Sequence, residues 1–139
     1  MVVGLLACAG LVGGCGGGDT GESGSRLLVV RETSEGNPDI YLMSSTGAIL
    51  QQLTTDAGYD LAPRWSPDGS RIAFLRHDKT IESRRLYIMN ADGSSERNLY
   101  PGEVADADLP NYPDWLDNDT LVFQRGSKRS SGLVKRSIT

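Results

Sequence analysis

Ala62-Pro63-Arg64-Trp65-Ser66-Pro67-Asp68-Gly69-Ser70-Arg71-Ile72-Ala73-Phe74-Leu75 is the stretch whose reading decides the fold. Pro67 presets φ for the first corner of a type I turn, Asp68 suits the second, and Gly69 accepts the positive φ that follows. Ile72 to Leu75 is a continuous apolar run held between Arg71 and Arg76. Such a run predicts a strand covered on both faces. Trp65 sits just before the turn, where its ring can pack under the hairpin.

Outward from this stretch the chain repeats itself. Ile40-Tyr41-Leu42-Met43 returns 46 positions later as Leu86-Tyr87-Ile88-Met89. Leu27 to Val30 returns 45 positions later as Ile72 to Leu75. Pro63-Arg64-Trp65 returns 50 positions later as Pro113-Asp114-Trp115, followed by Asp117-Asn118-Asp119 at the turn and Leu121-Val122-Phe123 beyond it. A period of about 40–50 residues with some four short strands per unit predicts β-propeller blades. Strands are expected at Leu27–Arg31, Asp39–Met43, Ala48–Thr54, Arg64–Trp65, Arg71–Arg76, Arg85–Asn90 and Glu96–Leu99, with an exposed charged loop over His77–Ser83. The reading divides the chain into a leader (1–15), a Gly/Ser tether (16–26), blade 1 (27–60), blade 2 (61–104) and a partial blade 3 with a basic tail (105–139). In that tail Gly132-Leu133-Val134 is weakly strand-like and is read as a possible third strand, with the fourth missing. The fold class is all-β: four-stranded antiparallel sheets forming an incomplete propeller.

The middle unit resembles the WD-repeat-like propeller repeat of the TolB type. It carries Pro63 to Phe74, then Leu86-Tyr87-Ile88-Met89-Asn90-Ala91-Asp92-Gly93 and Arg97-Asn98-Leu99, in the order that repeat shows. The first unit matches through Asn37 to Met43 and Gln52-Leu53-Thr54. The resemblance implies a fold and is poor for function, because such blades also occur in the propeller halves of prolyl-oligopeptidase-type enzymes. Pro63, Trp65, Pro67, Asp68, Gly69, Tyr87, Asp92 and Gly93 are therefore read as architectural. Closed propellers have about 4–8 blades. Two and a half blades imply either a piece of a longer propeller, the favoured reading, or self-association to complete the ring.

Composition narrows the function. The 139 residues carry a formal net charge of -4 and a pI near 4.9, against the basic face a nucleic-acid binder shows. Both cysteines, Cys8 and Cys15, lie in the first fifteen residues. No disulfide framework or thiol chemistry follows for the rest. Residues 1–14 are apolar or small and too short to span a bilayer, which takes about 20 apolar residues. They suit the apolar region of a secretory signal. Leu11-Val12-Gly13-Gly14-Cys15 resembles a bacterial lipobox, which implies lipidation of Cys15 and a membrane anchor. Gly16 to Arg26 is a flexible tether by composition.

Catalytic chemistry is not expected. The single histidine, His77, is read as a solvated loop residue, and no nucleophile elbow or phosphate loop is present. Glu103, Asp106, Asp108, Asp114, Asp117 and Asp119 crowd seventeen positions. Asp117 and Asp119 are weak metal candidates, since the Gly and closing Glu of a calcium loop are missing; the plain reading is a loop and a hairpin turn. No cofactor is called for. The expected protein is a non-catalytic, exported, lipid-anchored propeller of the bacterial envelope, periplasmic or at the cell surface, binding another envelope protein. The alternative is the propeller part of a prolyl-oligopeptidase-type serine peptidase lacking its catalytic domain.

Overall fold

The computed structural model describes Leu6–Ala7, 25–78, 83–99, 110–127 and 130–138. Every regular element among these residues is a strand. The first sheet, blade 1, runs β1 (Leu6–Ala7), β2 (Arg26–Glu32), β3 (Pro38–Ser44) and β4 (Ile49–Gln52). The second, blade 2, runs β5 (Tyr59–Trp65), β6 (Arg71–Asp78), β7 (Ser83–Asn90) and β8 (Arg97–Asn98). The third has the order β11-β10-β9, built from β9 (Pro110–Asp117), β10 (Thr120–Ser127) and β11 (Ser130–Ser137). Within each sheet consecutive strands pair antiparallel, as a propeller blade requires.

The turn that anchors the sequence reading forms as expected. Gly69 takes φ 69 and its N–H donates to Ser66 O at 2.9 Å. The Asp68 carboxylate accepts from Ser66 Oγ at 2.6 Å and from the Ser70 N–H at 3.0 Å. The hydrogen bond from Ser66 holds its pKa below the usual carboxylate range. Asp92-Gly93 repeats the device: Gly93 takes φ 86, and a Cβ there would stand 3.1 Å from Leu53 O.

Two apolar cores lie between the sheets. Ile72, Phe74 and Met89 pack with Leu28, Ile40, Leu42 and Leu53 between blades 1 and 2. Ala73, Leu75, Leu86, Ile88 and Leu99 pack with Leu121, Phe123 and Ile138 between blade 2 and the third sheet. β6 thus feeds alternate residues to each side, which is why its sequence is apolar without alternation. Trp65 packs against the first core and Trp115 against the second, where the Trp115 Nε1–H donates to Arg64 O at 3.1 Å.

Five elements differ from the sequence reading. β5 begins at Tyr59, inside the segment read as a polar connection, because the chain passes a register shift between Leu61 and Arg64, with Ala62 at φ 52, before it reaches Trp65. β6 extends to Asp78 and β7 begins at Ser83, so His77 lies in a strand, not in an exposed loop. Its ring stacks on Tyr59 with centroids 6.0 Å apart. β11 widens the weakly strand-like Gly132-Leu133-Val134 of the basic, Ser-rich tail to eight residues; pairing along the whole of β10, from Thr120–Ser137 to Ser127–Ser130, forms it. Leu6–Ala7, in the stretch read as leader, runs beside β2.

Candidate functional site: the charged cleft between blades 1 and 2

Because neighbouring strands alternate in direction, the connections sort to two ends. The tight turns 45–48, 66–70, 91–96 and 118–119 share one end. There the blades are knitted together: Gln51 Nε2 donates to Asp92 O at 2.9 Å, the Asp68 N–H to Asn118 Oδ1 at 3.0 Å, and Arg71 pairs with Asp119 at 3.2 Å. Most of the architectural set therefore serves that end or the cores beneath it. Pro63 is fully buried, and the Phe74 and Tyr87 rings stack with centroids 5.5 Å apart.

The opposite end carries the β2–β3 turn (33–37) and the β4–β5 link (53–58). A cleft of about 760 Å³ opens here between the blades, lined by Glu35, Asp56, Arg76, Asp78, Arg85 and Tyr87, among others. A second hollow of about 420 Å³ shares Glu35 and Asn37 with it and reaches Arg31, Asp39 and Gln52.

The cleft rests on a charge network centred on Arg76, which is 8% exposed. Nε and Nη2 donate to the two oxygens of Asp60 at 2.7 and 2.9 Å, and Nη1 and Nη2 donate to Glu96 at 2.6 and 3.0 Å. Asp56 lies 3.5 Å away. The guanidinium also sits over the Phe74 and Tyr87 rings, 5.4 and 4.7 Å from their centroids. Asp60 is fully buried, and this is what the antiparallel register dictates: β5 sets it directly opposite Arg76. Burial works against the Arg76 charge, but the bonds to Asp60 and Glu96 prevail and raise its pKa. Burial likewise pushes the Asp60 carboxyl up, with Arg76 pulling back.

Asp39 is the second buried acid. It accepts from Gln52 Nε2 at 2.9 Å and from Thr54 Oγ1 at 3.4 Å. Burial, and then the Asp60 charge, raise its pKa. Thr54 Oγ1 in turn accepts from the Ile40 N–H at 3.0 Å. The pKa of Asp39 is higher in the folded chain than in the unfolded one, so its contribution to stability is fully present below about pH 3.8. That contribution is lost as pH rises through the folded value. Asp39→Asn keeps an acceptor for Thr54 and removes the charge. The variant should equal or exceed the parent in urea midpoint at pH 7.5, with the difference shrinking toward pH 4. A lower midpoint at pH 7.5 would show the charge to be stabilising.

Sequence reasoning missed Asp39, Asp60 and Arg76, which it took as ends of strands and connections. It singled out Asp117 and Asp119, and the structure places them at the β9–β10 turn. Asp117 Oδ1 accepts from the Asp119 N–H at 2.9 Å, and that bond lowers its pKa. No group of three or more metal-ligating side chains gathers among the described residues. Glu103, Asp106, Asp108 and Cys15 lie outside them. No helix among them is long and apolar enough to cross a membrane.

No family model matches the chain. Among curated proteins it is 45% identical over 51 residues to a protein TolB homolog of Chlorobium chlorochromatii, covering 37% of this chain and 12% of that one. It is 36% identical over 86 residues to the Tol-Pal system protein TolB of Cereibacter sphaeroides, covering 58% of this chain and 19% of that one. The chain thus spans less than a fifth of the length of these relatives. Among solved structures it resembles one assigned as TolB from Agrobacterium tumefaciens, with a TM-score of 0.64, 19% identity, and 81% of this chain against 42% of that one. TolB from Acinetobacter baumannii follows at 0.58 and 21%, covering 80% and 27%. The AtxE2 isopeptidase without ligand stands at 0.50 and 18%, covering 73% and 18%. Its antiparallel blades and stitched turn end, together with the match to these structures, show a β-propeller fold similar to that of TolB, of which the chain covers a part.

Proposed function

We propose that the chain is the propeller part of a non-catalytic protein exported to the bacterial envelope, held to a membrane by lipid on Cys15, and that it binds another envelope protein. The observation that supports this reading best is the likeness to TolB proteins, two of which carry the Tol-Pal system in their names. The division of the blades fits it. The tight-turn end is spent on joining blades, and the other end keeps the cleft over Arg76 for a partner, where propellers carry their variable loops. A piece of a longer propeller remains the favoured state, with the missing blades supplied in the same chain and self-association as the other route to closure. Cys15→Ser should move the protein from the membrane to the soluble fraction of cells that express it. Unchanged fractionation would remove the anchor.

The isopeptidase neighbour favours a second reading, in which these blades are the propeller of a serine peptidase of the prolyl-oligopeptidase type. A nucleophile elbow and a late histidine in sequence continuous with this chain would decide for it. Binding of a partner by the chain alone, through the cleft, would decide for the first.

A further inference from the structure

Across one face of blade 2 the antiparallel register sets a row of charges: Asp60 on β5 faces Arg76 on β6, and Arg76 faces Arg85 on β7. The repeat does not foretell the last of these. An offset of 46 aligns Arg85 with Asp39, and an offset of 45 aligns Arg76 with Arg31. Blade 1 therefore sets a cation against an anion, Arg31 opposite Asp39, where blade 2 sets two cations against each other. Like charges directly opposite destabilise a sheet. Asp60 and Glu96 relieve one side of this pair, because both bond to Arg76. Arg85 is half-buried, and among the described residues its guanidinium has neither an ion pair nor a hydrogen bond. A charge drawn partly out of water without a partner is unfavourable. A residue that breaks a local rule with no compensation inside the fold marks a place where function is expected.

Arg85 lines the cleft together with Glu35, Asp56, Asp78, Arg76 and Tyr87. Asp56 is engaged: one oxygen accepts from the Gly58 N–H at 2.9 Å and the other lies 3.5 Å from Arg76. Glu35 is exposed on the 33–37 turn. With Arg76 already matched by Asp60 and Glu96, carboxylates outnumber cations around the opening, and their field draws positive charge. Contact at Arg85 asks for the opposite, a carboxylate, which the guanidinium fork holds by two parallel hydrogen bonds. A basic segment with one acidic side chain meets both demands, and an acidic run meets only the second. We propose that the cleft takes an extended, net-basic segment of a partner protein, and that Arg85 recognises it by holding a single Asp or Glu side chain. This rests on the reading of the cleft as the partner-binding end and names the chemistry of what binds there. Glu35 and Asp78 face the basic residues that flank the acid.

The test uses the full chain and a displayed library of random peptides. Peptides selected by the parent should be basic overall and share one acidic position. Synthesised with both ends blocked, which removes terminal carboxylates as the source, they should lose at least about tenfold in affinity when that acid becomes Gln. The unchanged peptides should lose as much on Arg85→Glu, and replacing their acid by Lys should restore binding to that variant. Peptides with no shared acid, or a peptide bound only through its free C-terminus, would overturn the proposal. Peptides weakened by Glu35→Lys but not by Arg85→Glu would overturn the role of Arg85 and leave the cleft as the binding end. Peptides weakened by neither variant, or no selection above background, would overturn both. Arg85→Gln guards against misfolding. Since Arg85 has no partner among the described residues, that variant should keep the parent's urea midpoint while losing the peptides. A clear fall in the midpoint would show that the fold itself holds Arg85, and would overturn the proposal.

Discussion

Arg76→Ala should cost about 3–5 kcal/mol at neutral pH, the loss expected when one partner of a buried ion pair is removed. The reason is the state it leaves behind. Asp60 is 0% exposed, and two of the strongest bonds it accepts come from Arg76. Glu96 and Asp56 would also lose their cation, and the Phe74 and Tyr87 rings their cover. The loss should shrink as pH falls, since burial already raises the pKa of Asp60 and protonation relieves the orphaned charge. Urea unfolding at pH 7.5 and pH 4.5 measures both. Arg76→Ala/Asp60→Asn should recover a large part of the loss at pH 7.5. A double variant no better than the single one would mean that packing on the rings, rather than charge, explains the effect. Such coupling is expected only for groups in contact.

Phe123→Ala should cost about 3–5 kcal/mol, the range for emptying a large aromatic site in a packed core. Phe123 is 1% exposed and belongs to the core between blade 2 and the third sheet. Its loss should loosen that sheet in preference to blade 1, because Leu28, Ile40, Ile72 and Phe74 belong to the separate core on the far side of β6. Amide exchange should speed up in β9–β11 well before it does in β2 and β3. Uniform acceleration across the three sheets would show the two cores to be one cooperative unit.

The legible parts of this fold are those written in local chemistry. Pro67-Asp68-Gly69 and Asp92-Gly93 mark turns by themselves, and Ile72 to Leu75 marks a doubly covered strand. What was hidden is non-local. Tyr59-Asp60 reads as polar connection because the charge of Asp60 is cancelled from another strand. Arg76 reads as the polar limit of an apolar run, although it is buried under its own network. A signal for the pair did exist. Counting outward from the 66–70 turn brings Asp60 opposite Arg76 once the irregularity at Ala62 is allowed for, and opposite charges facing each other across buried strands point to a pair. For Ser130–Ser137 the signal was short, only Gly132-Leu133-Val134, and pairing with β10 rather than composition extends it to eight residues.

β6 carries a further consequence. An ordinary amphipathic strand encodes its own alignment, because a slip of one residue puts apolar groups in water. Ile72 and Phe74 face one core and Ala73 and Leu75 the other, so a slip in β6 would trade apolar for apolar. Hydrophobicity is thus nearly silent about which side is which. The instruction must be stored where the strand begins, in the Ser66 hydroxyl that accepts from the Arg71 N–H and in the Asp68 carboxylate that clasps Ser66 and Ser70. The polar turn is the address label of an otherwise ambiguous strand, and a one-residue deletion within 66–70 would misdirect two cores at once.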